Sequence, residues 1–385
     1  MKVGAGARVP SFRVMDVITR ANARERLRVP GSPRILRMEV GQPGTGLPAG
    51  ARDAVARALQ SGDVMGYTEG LGRASLRERI SAHILDWYGV AVDPARIAVT
   101  FGASGAFPLA YLSAFDPGDS VALAAPYYPP YVNIATALGL RPVVLPCGME
   151  TGFQPTVAML EALPEKPEGL IVASPANPTG SMLSPKDLAA LARYCHGAGI
   201  RLISDEIYHG LTYGKPVASA LQFSDSAIVI NSFSKYFSMT GWRVGWMVLP
   251  EDLIRATERL AQNFFVSPSY IAQVAAEAAL DCTAELEANR ENYAKARTVM
   301  TDGLRAAGFA RFSPPDGAFY VYADLAGHGQ DSAEFCNRLL DEHGIAATPG
   351  YDFDAARGGN FFRMSYCAAL PDIEEAVSRL NRMLA

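Results

Sequence analysis

The chain has 385 residues, of which 49% are hydrophobic and 19% charged, so it can bury a core large enough for two domains and is too apolar to be disordered. Its formal net charge of −4 provides no basic surface, which argues against nucleic acid as the main partner. The five cysteines are odd in number, scattered and without a C-x-x-C pair, so we expect reduced thiols in a cytoplasmic protein, with neither a disulfide framework nor a bound metal.

Residues 2–37 are rich in arginine and poor in acidic residues, a composition shared with organelle transit peptides. Within this segment Val14, Val17, Ile18 and Ala21 recur at helical spacing. We therefore predict an amphipathic arm helix packed on the body of the protein, with a transit peptide as the alternative. No apolar run approaches the ~20 residues of a membrane span, so we expect no membrane partner.

A short apolar strand is predicted at 35–40, followed by helices at 49–59 and 76–87. Alternation of short apolar runs with helical stretches or loops then predicts a mostly parallel sheet with helices on both faces, which is a three-layer α/β domain. Ligands bind such sheets outside the carboxyl ends of the strands. The apolar runs lie at 97–100, 121–124, 143–145, 170–173, 202–203 and 227–230.

The pattern then changes to long helices, predicted at 253–263 and 270–307. A smaller α/β unit follows, with strands near 319–323 and 361–366 and a closing helix from Asp372. We predict that the small domain is built from both chain ends. The predicted segments are an N-terminal arm with part of the small domain (1–45), a large domain (46–280) and a small C-terminal domain (281–385).

Polar motifs follow the predicted strands in chain order. GASGA at 102–106 opens a helix, where free backbone N–H groups and small side chains form an anion site. SPANPTG carries Asn177, and SDEIYHG at 204–210 places Asp205 at the carboxyl end of a strand. Each motif alone also fits an ordinary structural role, namely a helix start, a proline-rich turn, and a helix cap or surface ion pair.

The stretch SFSKYFSMTGWR at 232–243 lies between two apolar runs and contains Lys235. A lysine framed by strands and by Gly241 is badly placed for a solvated surface charge. It is well placed to contact a ligand that carries both a carbonyl and a phosphate. A polar loop between two strands is the alternative for this stretch taken alone.

Four motifs occur along the chain in this order: NPTG, SDE-x-Y, SFSK followed by GWRVGW, and a late FFR-x-S-Y segment. With these motifs the sequence resembles the class I/II aminotransferases, which are fold type I pyridoxal-phosphate (PLP) enzymes. The resemblance extends from the N-terminal arm to the last helix. It implies PLP as the cofactor, a homodimer with shared active sites, and transfer of an amino group from an L-amino acid to a 2-oxo acid. It also implies that at least one of the Ser174–Pro175 and Asn177–Pro178 bonds is cis.

The resemblance implies a catalytic role for Lys235, Asp205 and Tyr208. Lys235 forms a Schiff base with PLP and, once the substrate displaces it, moves the substrate Cα proton. For this its pKa must fall from the usual ~10.4 through burial and a nearby cation. Asp205 keeps the pyridine nitrogen protonated, which makes the ring an electron sink. Tyr208 and Asn177 hydrogen-bond the phenolic oxygen of the cofactor.

The remaining cofactor contacts are implied by the same resemblance. Tyr128 in APYYPPY stacks on the ring, with Tyr127 as the alternative if the register is off by one. Tyr67 reaches the phosphate across the subunit interface, with a buried loop aromatic as the alternative. The phosphate carries a charge of about two and needs several donors. Its predicted ligands are Ala103, Ser104, Ser232, Ser234 and Arg243.

Arg363 matches the family arginine that binds the substrate α-carboxylate, since a planar guanidinium holds a carboxylate through two hydrogen bonds. An arginine inside an otherwise apolar strand is costly to bury without a partner. Gly41 and Asn177 complete the substrate-binding set. In the P-G-x-x-F segment upstream, Asp354 stands where a glycine is common, which leaves the shape of that loop open.

Side-chain specificity rests on fewer residues. Ser104 stands where bacterial aspartate aminotransferases of this type often carry a lysine, which weakens a restriction to dicarboxylates. The Phe-Phe-Val run at 264–266, with Met15 and Ile18 of the arm, predicts an apolar pocket, although such residues more often belong to a core. We therefore predict a neutral, apolar or aromatic donor, with aspartate retained, and 2-oxoglutarate or pyruvate as acceptor.

Two alternatives share the cofactor residues or the fold. A PLP lyase that eliminates a β-substituent from a cysteine-like substrate would form pyruvate and ammonia without an acceptor. A PLP-sensing regulator would need an added DNA-binding domain. About forty residues precede the first shared motif, too few for a winged helix and its linker, and no basic patch is present.

Overall fold

The computed structural model describes residues 1–384. Its α-helices are α1 (Arg13–Arg26), α2 (Ala49–Gln60), α3 (Ala74–Tyr88), α4 (Gly102–Ala114), α5 (Pro129–Ala137), α6 (Val157–Glu161), α7 (Pro185–Ala198), α8 (Glu251–Phe265), α9 (Tyr270–Ala279), α10 (Thr283–Ala306), α11 (Ser332–His343) and α12 (Leu370–Leu384). Its strands are β1 (Leu36–Arg37), β2 (Ile97–Thr100), β3 (Ser120–Ala125), β4 (Arg141–Pro146), β5 (Gly169–Ala173), β6 (Arg201–Asp205), β7 (Ile228–Ser232), β8 (Gly245–Val248), β9 (Tyr320–Asp324), β10 (Ile345–Ala346), β11 (Thr348–Pro349) and β12 (Phe361–Ser365).

The largest sheet has seven strands in the order β2-β8-β7-β6-β5-β3-β4. The strands from β7 to β4 are parallel to one another, and β8 is antiparallel to both β7 and β2. Every strand except β8 therefore points the same way, and their carboxyl ends meet at one edge. The prediction of an α/β fold with a mostly parallel sheet is confirmed.

Helices cover both faces of this sheet because successive strand residues, which point to opposite faces, are apolar on both. In β5, Leu170 and Val172 belong to one buried cluster, whereas Ile171 belongs to another. The first cluster includes residues of α3, α7 and α9, and the second includes residues of α4, α5 and α8. The large sheet is thus the middle layer of three.

A smaller unit is formed by both ends of the chain. Strands β11, β12 and β9 form an antiparallel sheet, and β1 pairs in parallel with β10 through Leu36 and Ile345. Helix α11 packs on these strands, and α12 packs on α10 and α11. The division of the chain at 45/46 and 280/281 stays a prediction.

Helix α1 packs on the body of the protein. Its residue Val14 is buried with Tyr322 and Phe353, and its residue Ala21 is buried with Leu340. The amphipathic arm helix is therefore confirmed. Within residues 1–384, no helix is both long enough and apolar enough to cross a membrane.

Two elements differ from their predicted bounds. The helix predicted at 270–307 is divided into α9 and α10, because Asp281 and Cys282 are weak helix formers and Cys282 closes a turn by donating its N–H to the oxygen of Ala279. The strand predicted at 35–40 is limited to β1, since only its two residues pair with β10. The chain therefore bends at both places.

Candidate active site

A cavity of about 280 Å³ lies at the carboxyl edge of the large sheet, where α1 and the small antiparallel sheet also contribute to its wall. The carboxyl ends of parallel strands meet at this edge, so motifs that are distant in sequence are brought together. The predicted residues that line the cavity are Gly41, Ala103, Ser104, Tyr128, Asn177, Asp205, Tyr208, Ser234, Lys235, Arg243 and Arg363.

Lys235 follows β7 closely, and its Nζ donates to the backbone oxygen of Gly41 at 2.6 Å. Removal of this ammonium group from water lowers its pKa to about 8, and the charges of Arg363 and Arg243 act in the same direction. A lower pKa increases the fraction of neutral amine at neutral pH. That neutral form is the one that a nucleophile or a proton acceptor requires.

Asp205 ends β6 and is only 3% exposed. Its Oδ1 accepts the N–H of Ile207 at 3.1 Å, and its Oδ2 accepts the hydroxyl of Tyr131. Burial raises the pKa of Asp205 to about 6, whereas these two hydrogen bonds oppose the rise. Tyr131 was missed by the sequence reasoning, and its helical spacing of three residues from Tyr128 was the available signal.

Arg363 lies on β12 and is 2% exposed. Its Nη1 donates to Oδ1 of Asn177 at 2.7 Å and its Nη2 donates to the backbone oxygen of Glu39, while its Nε has no partner. The guanidinium lies 4.6 Å from the ring centroid of Tyr320 and 4.7 Å from that of Phe353. A buried guanidinium is stabilised by an anion, so the position of Arg363 on the cavity wall fits a carboxylate ligand.

Tyr208 is held by a second tyrosine that the sequence reasoning did not identify. The hydroxyls of Tyr208 and Tyr320 are 2.8 Å apart, and Nζ of Lys235 lies 5.8 Å from the Tyr208 ring centroid. A Cβ on Gly41 would lie 1.6 Å from the Tyr320 hydroxyl oxygen, so only glycine fits there. Backbone and phenols therefore approach each other closely beside the lysine.

The start of α4 and the loop after β7 form a cradle for an anion. The N-cap residue Phe101 has no capping side chain, so the first N–H groups of α4 are available. Gly102 has a φ of +67°, and a Cβ there would lie 2.7 Å from a guanidinium nitrogen of Arg243. The Oγ of Ser232 donates to the Oγ of Ser234 at 2.9 Å, which places Ser232 behind the cavity lining. This donor set fits a phosphate.

The two adjacent tyrosines of APYYPPY point to different places. Tyr128 lines the cavity, whereas Tyr127 lies beside a neighbouring pocket and its N–H donates to the oxygen of Phe353 at 2.9 Å. The two prolyl bonds that surround Asn177, Ser174–Pro175 and Asn177–Pro178, are both cis, which confirms the expectation that at least one is.

Tyr67 is the predicted site residue that a single chain does not bring to the cavity. Its side chain is 87% exposed, so the alternative of a buried loop aromatic is wrong. The prediction that residues 264–266 line the pocket is also wrong for the cavity of this chain. Phe264 and Val266 are exposed at the end of α8, and Phe265 packs on Phe101. Met15 and Ile18 do line the cavity.

Asp354, the departure from glycine, gives its loop a fixed shape. Its Oδ1 accepts the N–H groups of Ala356 and Arg357, and its Oδ2 accepts Nε of Arg357 at 2.7 Å. Arg357 in turn donates to the backbone oxygens of Ala125 and Cys147, at the ends of β3 and β4. The aspartate therefore orients an arginine that joins the small unit to the large sheet.

The residues of the cavity fit PLP at three separate points. Asp205 is a buried carboxylate suited to a cationic ring nitrogen, and the α4 cradle with Arg243 is suited to the phosphate. Lys235 is an amine of lowered pKa suited to the aldehyde carbon. Arg363, which lines the same cavity, then remains for the carboxylate of a second molecule.

Known proteins resemble this chain along its whole length. A family model described as "Aminotransferase class I and II" matches residues 33–380. The chain is 46% identical over 387 positions to the valine–pyruvate aminotransferase of Mycobacterium tuberculosis, covering 100% of this chain and 98% of the relative. A crystal structure of an aminotransferase from Mycobacterium tuberculosis has a TM-score of 0.96 at 46% identity, covering 100% and 99% of the two chains. Aspartate aminotransferase from Thermus thermophilus with maleate has a TM-score of 0.93 at 30% identity, covering 100% of both.

Proposed function

The chain belongs to the class I and II aminotransferases, and we propose that it takes its amino group from an L-amino acid with a neutral, apolar side chain, valine first, and passes it to a small 2-oxo acid such as pyruvate. The family carries out transamination with PLP. One observation carries the substrate proposal. On the side formed by the start of the chain the cavity wall is apolar, and among the lining residues in the described part of the chain the cations other than Arg363 are Lys235 and Arg243, both of which PLP would occupy.

When bound, PLP supplies the carbon that receives the amino group and a ring that withdraws electrons from the substrate Cα. The first N–H groups of α4, together with Ser234 and Arg243, would hold its phosphate, and Ser232 would orient Ser234 from behind. Asp205 holds a proton at the ring nitrogen, because a buried carboxylate stabilises a neighbouring cation. Tyr128, which lines the cavity, would cover one face of the ring.

Lys235 is the acid–base catalyst in this proposal. With PLP bound, its Nζ would accept the proton of the substrate Cα and would be the group that releases it again. A pKa of about 8 is close enough to neutral pH for the amine both to accept and to release a proton. Tyr208 and Asn177 hydrogen-bond the phenolic oxygen, and the contact with Tyr320 keeps Tyr208 oriented.

Arg363 binds the α-carboxylate of the substrate. Its guanidinium lines the cavity, where it can pair with a carboxylate. Gly41 leaves room for the backbone to approach the same carboxylate. Ser104 has no charge to pair with a second carboxylate, which disfavours aspartate and 2-oxoglutarate. The apolar side chains that would face the substrate side chain are Phe12, Val14, Met15, Ile18 and Ile134.

The functional unit we propose is a homodimer with shared active sites. Two neighbouring loops, joined by a 3.2 Å hydrogen bond from Thr68 N–H to Ser267 Oγ, expose apolar side chains to solvent. Exposed apolar patches of this kind mark protein interfaces. In the dimer, Tyr67 reaches the phosphate bound in the partner's cavity. The exposed side chains of the patch are Val64, Tyr67, Phe264 and Val266.

A cytoplasmic role in amino acid metabolism is part of the same proposal. The five cysteines are all free, and reduced thiols are typical of reducing compartments. Fractionation of cells that produce the protein tests this location, since recovery in the cytoplasmic fraction is expected.

The half-reaction with single amino acids tests the substrate proposal. Holoenzyme is mixed with each of the common amino acids, and conversion of the aldehyde form of the cofactor to its amine form is followed by absorbance. L-Valine and other apolar amino acids should react with a kcat/KM at least about tenfold above that of L-aspartate, a difference of ~1.4 kcal/mol. Pyruvate should then restore the first spectrum more efficiently than 2-oxoglutarate. A preference for aspartate would contradict the proposal, and ammonia released without an acceptor would identify a lyase.

A further inference from the structure

One wall of the cavity is formed by apolar side chains from the start of the chain: Phe12, Val14, Met15 and Ile18. Phe12 packs edge-on against Tyr128, with 5.8 Å between the ring centroids, so this arm wall adjoins the tyrosine proposed to cover the cofactor ring. All but Phe12 belong to α1. The position of the arm wall therefore depends on how α1 is held.

The first turn of α1 has no capping side chain of its own, because its N-cap residue Phe12 carries no acceptor. A distant carboxylate takes that place. Oδ1 of Asp352 accepts the N–H of Arg13 at 3.0 Å, and Oδ2 accepts the N–H of Val14 at 3.0 Å. Asp352 is 8% exposed, and a negative charge at this end of a helix is favourable. A residue 338 positions beyond Val14 thus replaces a local cap.

Asp352 belongs to the loop that also supports Arg363. Strand β11, just before this loop, pairs Thr348 with Arg363. The next residue, Phe353, lies against the Arg363 guanidinium at 4.7 Å from its ring centroid and shares a buried cluster with Val14. One loop therefore places both the arginine proposed to bind the α-carboxylate and the helix that carries the arm wall.

We propose that Asp352 is a positioning residue for substrate side-chain recognition: by capping α1, it fixes the arm wall at a set distance from Arg363. This inference rests on the proposed transamination of apolar amino acids. A branched side chain such as that of valine gains affinity by burying apolar surface against the wall, whereas the single methyl group of alanine gains little. Loosening α1 therefore weakens recognition of valine and leaves the chemistry at Lys235 unchanged.

Asp352→Asn removes the charge and one of the two acceptors while keeping the size of the side chain. In the holoenzyme, kcat/KM for L-valine should fall about tenfold, mainly through a higher KM, as expected for loss of a helix cap. The value for L-alanine should change less than about twofold, because its side chain makes little contact with the wall. The absorption spectrum of the bound cofactor should be unchanged.

Asp354→Asn is the matched control. It makes the same chemical change two residues further along, but its carboxylate binds Arg357 and not α1. This variant should keep the wild-type ratio of valine to alanine kcat/KM. Hydrogen exchange gives a readout that is independent of turnover: the amides of Arg13 and Val14 should exchange faster in Asp352→Asn than in wild type or Asp354→Asn.

Met15→Ala tests the arm wall without touching the cap, and its half-exposed position makes a folding defect a minor concern. In this variant kcat/KM should fall more for L-valine than for L-alanine. The fold-loss of the double variant with Asp352→Asn should be smaller than the product of the two single fold-losses, since both changes act through the same wall. Equal losses for valine and alanine in either variant, or faster exchange of α1 with an unchanged KM for valine, would overturn the proposal. If wild-type holoenzyme fails to react with valine at all, the proposed function fails, while the exchange data still report on the cap.

Discussion

The two ends of the cavity are built in different ways. The cofactor end consists of residues that directly follow strands of the large sheet, such as Asp205 at the end of β6 and Lys235 after β7. The substrate end is assembled from contacts between remote positions. The hydrogen bond from Arg13 to Asp352 spans 339 positions, and the one from Arg363 to Glu39 spans 324.

Because of this difference, the reaction chemistry and the substrate specificity depend on different parts of the structure. The ends of parallel strands are fixed by the sheet, so the groups proposed to hold the cofactor keep their spacing when the parts that cover the cavity change. The substrate end depends on how the arm and one loop of the small unit pack together. A change in that packing can therefore alter the preferred substrate while the chemistry at Lys235 stays the same.

Lys235→Ala should have the largest effect. It tests whether, at the cofactor end, catalysis and cofactor binding depend on different residues. We expect kcat to fall by at least about 10³-fold, because no other group at this position can move the Cα proton. PLP should remain bound through the phosphate cradle, as measured by absorbance after ultrafiltration. Lys295→Ala, an exposed lysine, is the control and should be fully active. Borohydride reduction of wild type that labels a lysine other than Lys235 would contradict the assignment.

Arg363→Leu should have the next largest effect and acts mainly at the substrate end. Loss of a charge-assisted pair with the α-carboxylate costs at least ~2 kcal/mol, so kcat/KM should fall more than about tenfold while PLP content stays at the wild-type level. Arg311→Leu removes a largely exposed arginine near the same small sheet and should have little effect. An unchanged kcat/KM in Arg363→Leu would mean that the carboxylate binds elsewhere.

The sequence predicted the cofactor end better than the substrate end, and the reason is the range of the contacts. Lys235, Asp205 and Asn177 lie in contiguous motifs whose strands are visible as apolar runs, so both the parallel sheet and the motif order could be predicted. Tyr131 and Asp352 were missed because their partners are 74 and 339 positions away. Residues 264–266 were misplaced because apolarity alone does not distinguish a pocket from a surface that another chain can cover.

Tyr131→Phe tests whether the cofactor end also depends on a contact that crosses the fold. Asp205 has a pKa raised to about 6, so the carboxylate form is lost as the pH falls through that value. Without the Tyr131 hydroxyl, which favours the charged form, this pKa should rise by about one unit. The acidic limb of the kcat/KM profile should move to higher pH accordingly, with activity about threefold below wild type at pH 6.5 and largely kept at pH 8.5. Tyr111→Phe, whose hydroxyl donates only to the backbone oxygen of Tyr131, is the control and should leave that limb in place.

Tyr67→Phe should have the smallest effect, and it tests whether a residue of the second subunit contributes to cofactor binding. If the hydroxyl of Tyr67 donates to the phosphate in the partner's cavity, its loss removes one hydrogen bond of ~1 kcal/mol and weakens PLP binding about fivefold. At saturating PLP, kcat should stay within about twofold of wild type. Equilibrium dialysis measures the PLP affinity, sedimentation velocity confirms that the dimer persists, and Tyr194→Phe on α7 is the control. An unchanged PLP affinity would mean that all the residues that bind the cofactor lie in a single chain. A lower PLP affinity with an unchanged kcat would mean that the cofactor end, like the substrate end, depends on a contact with a remote residue.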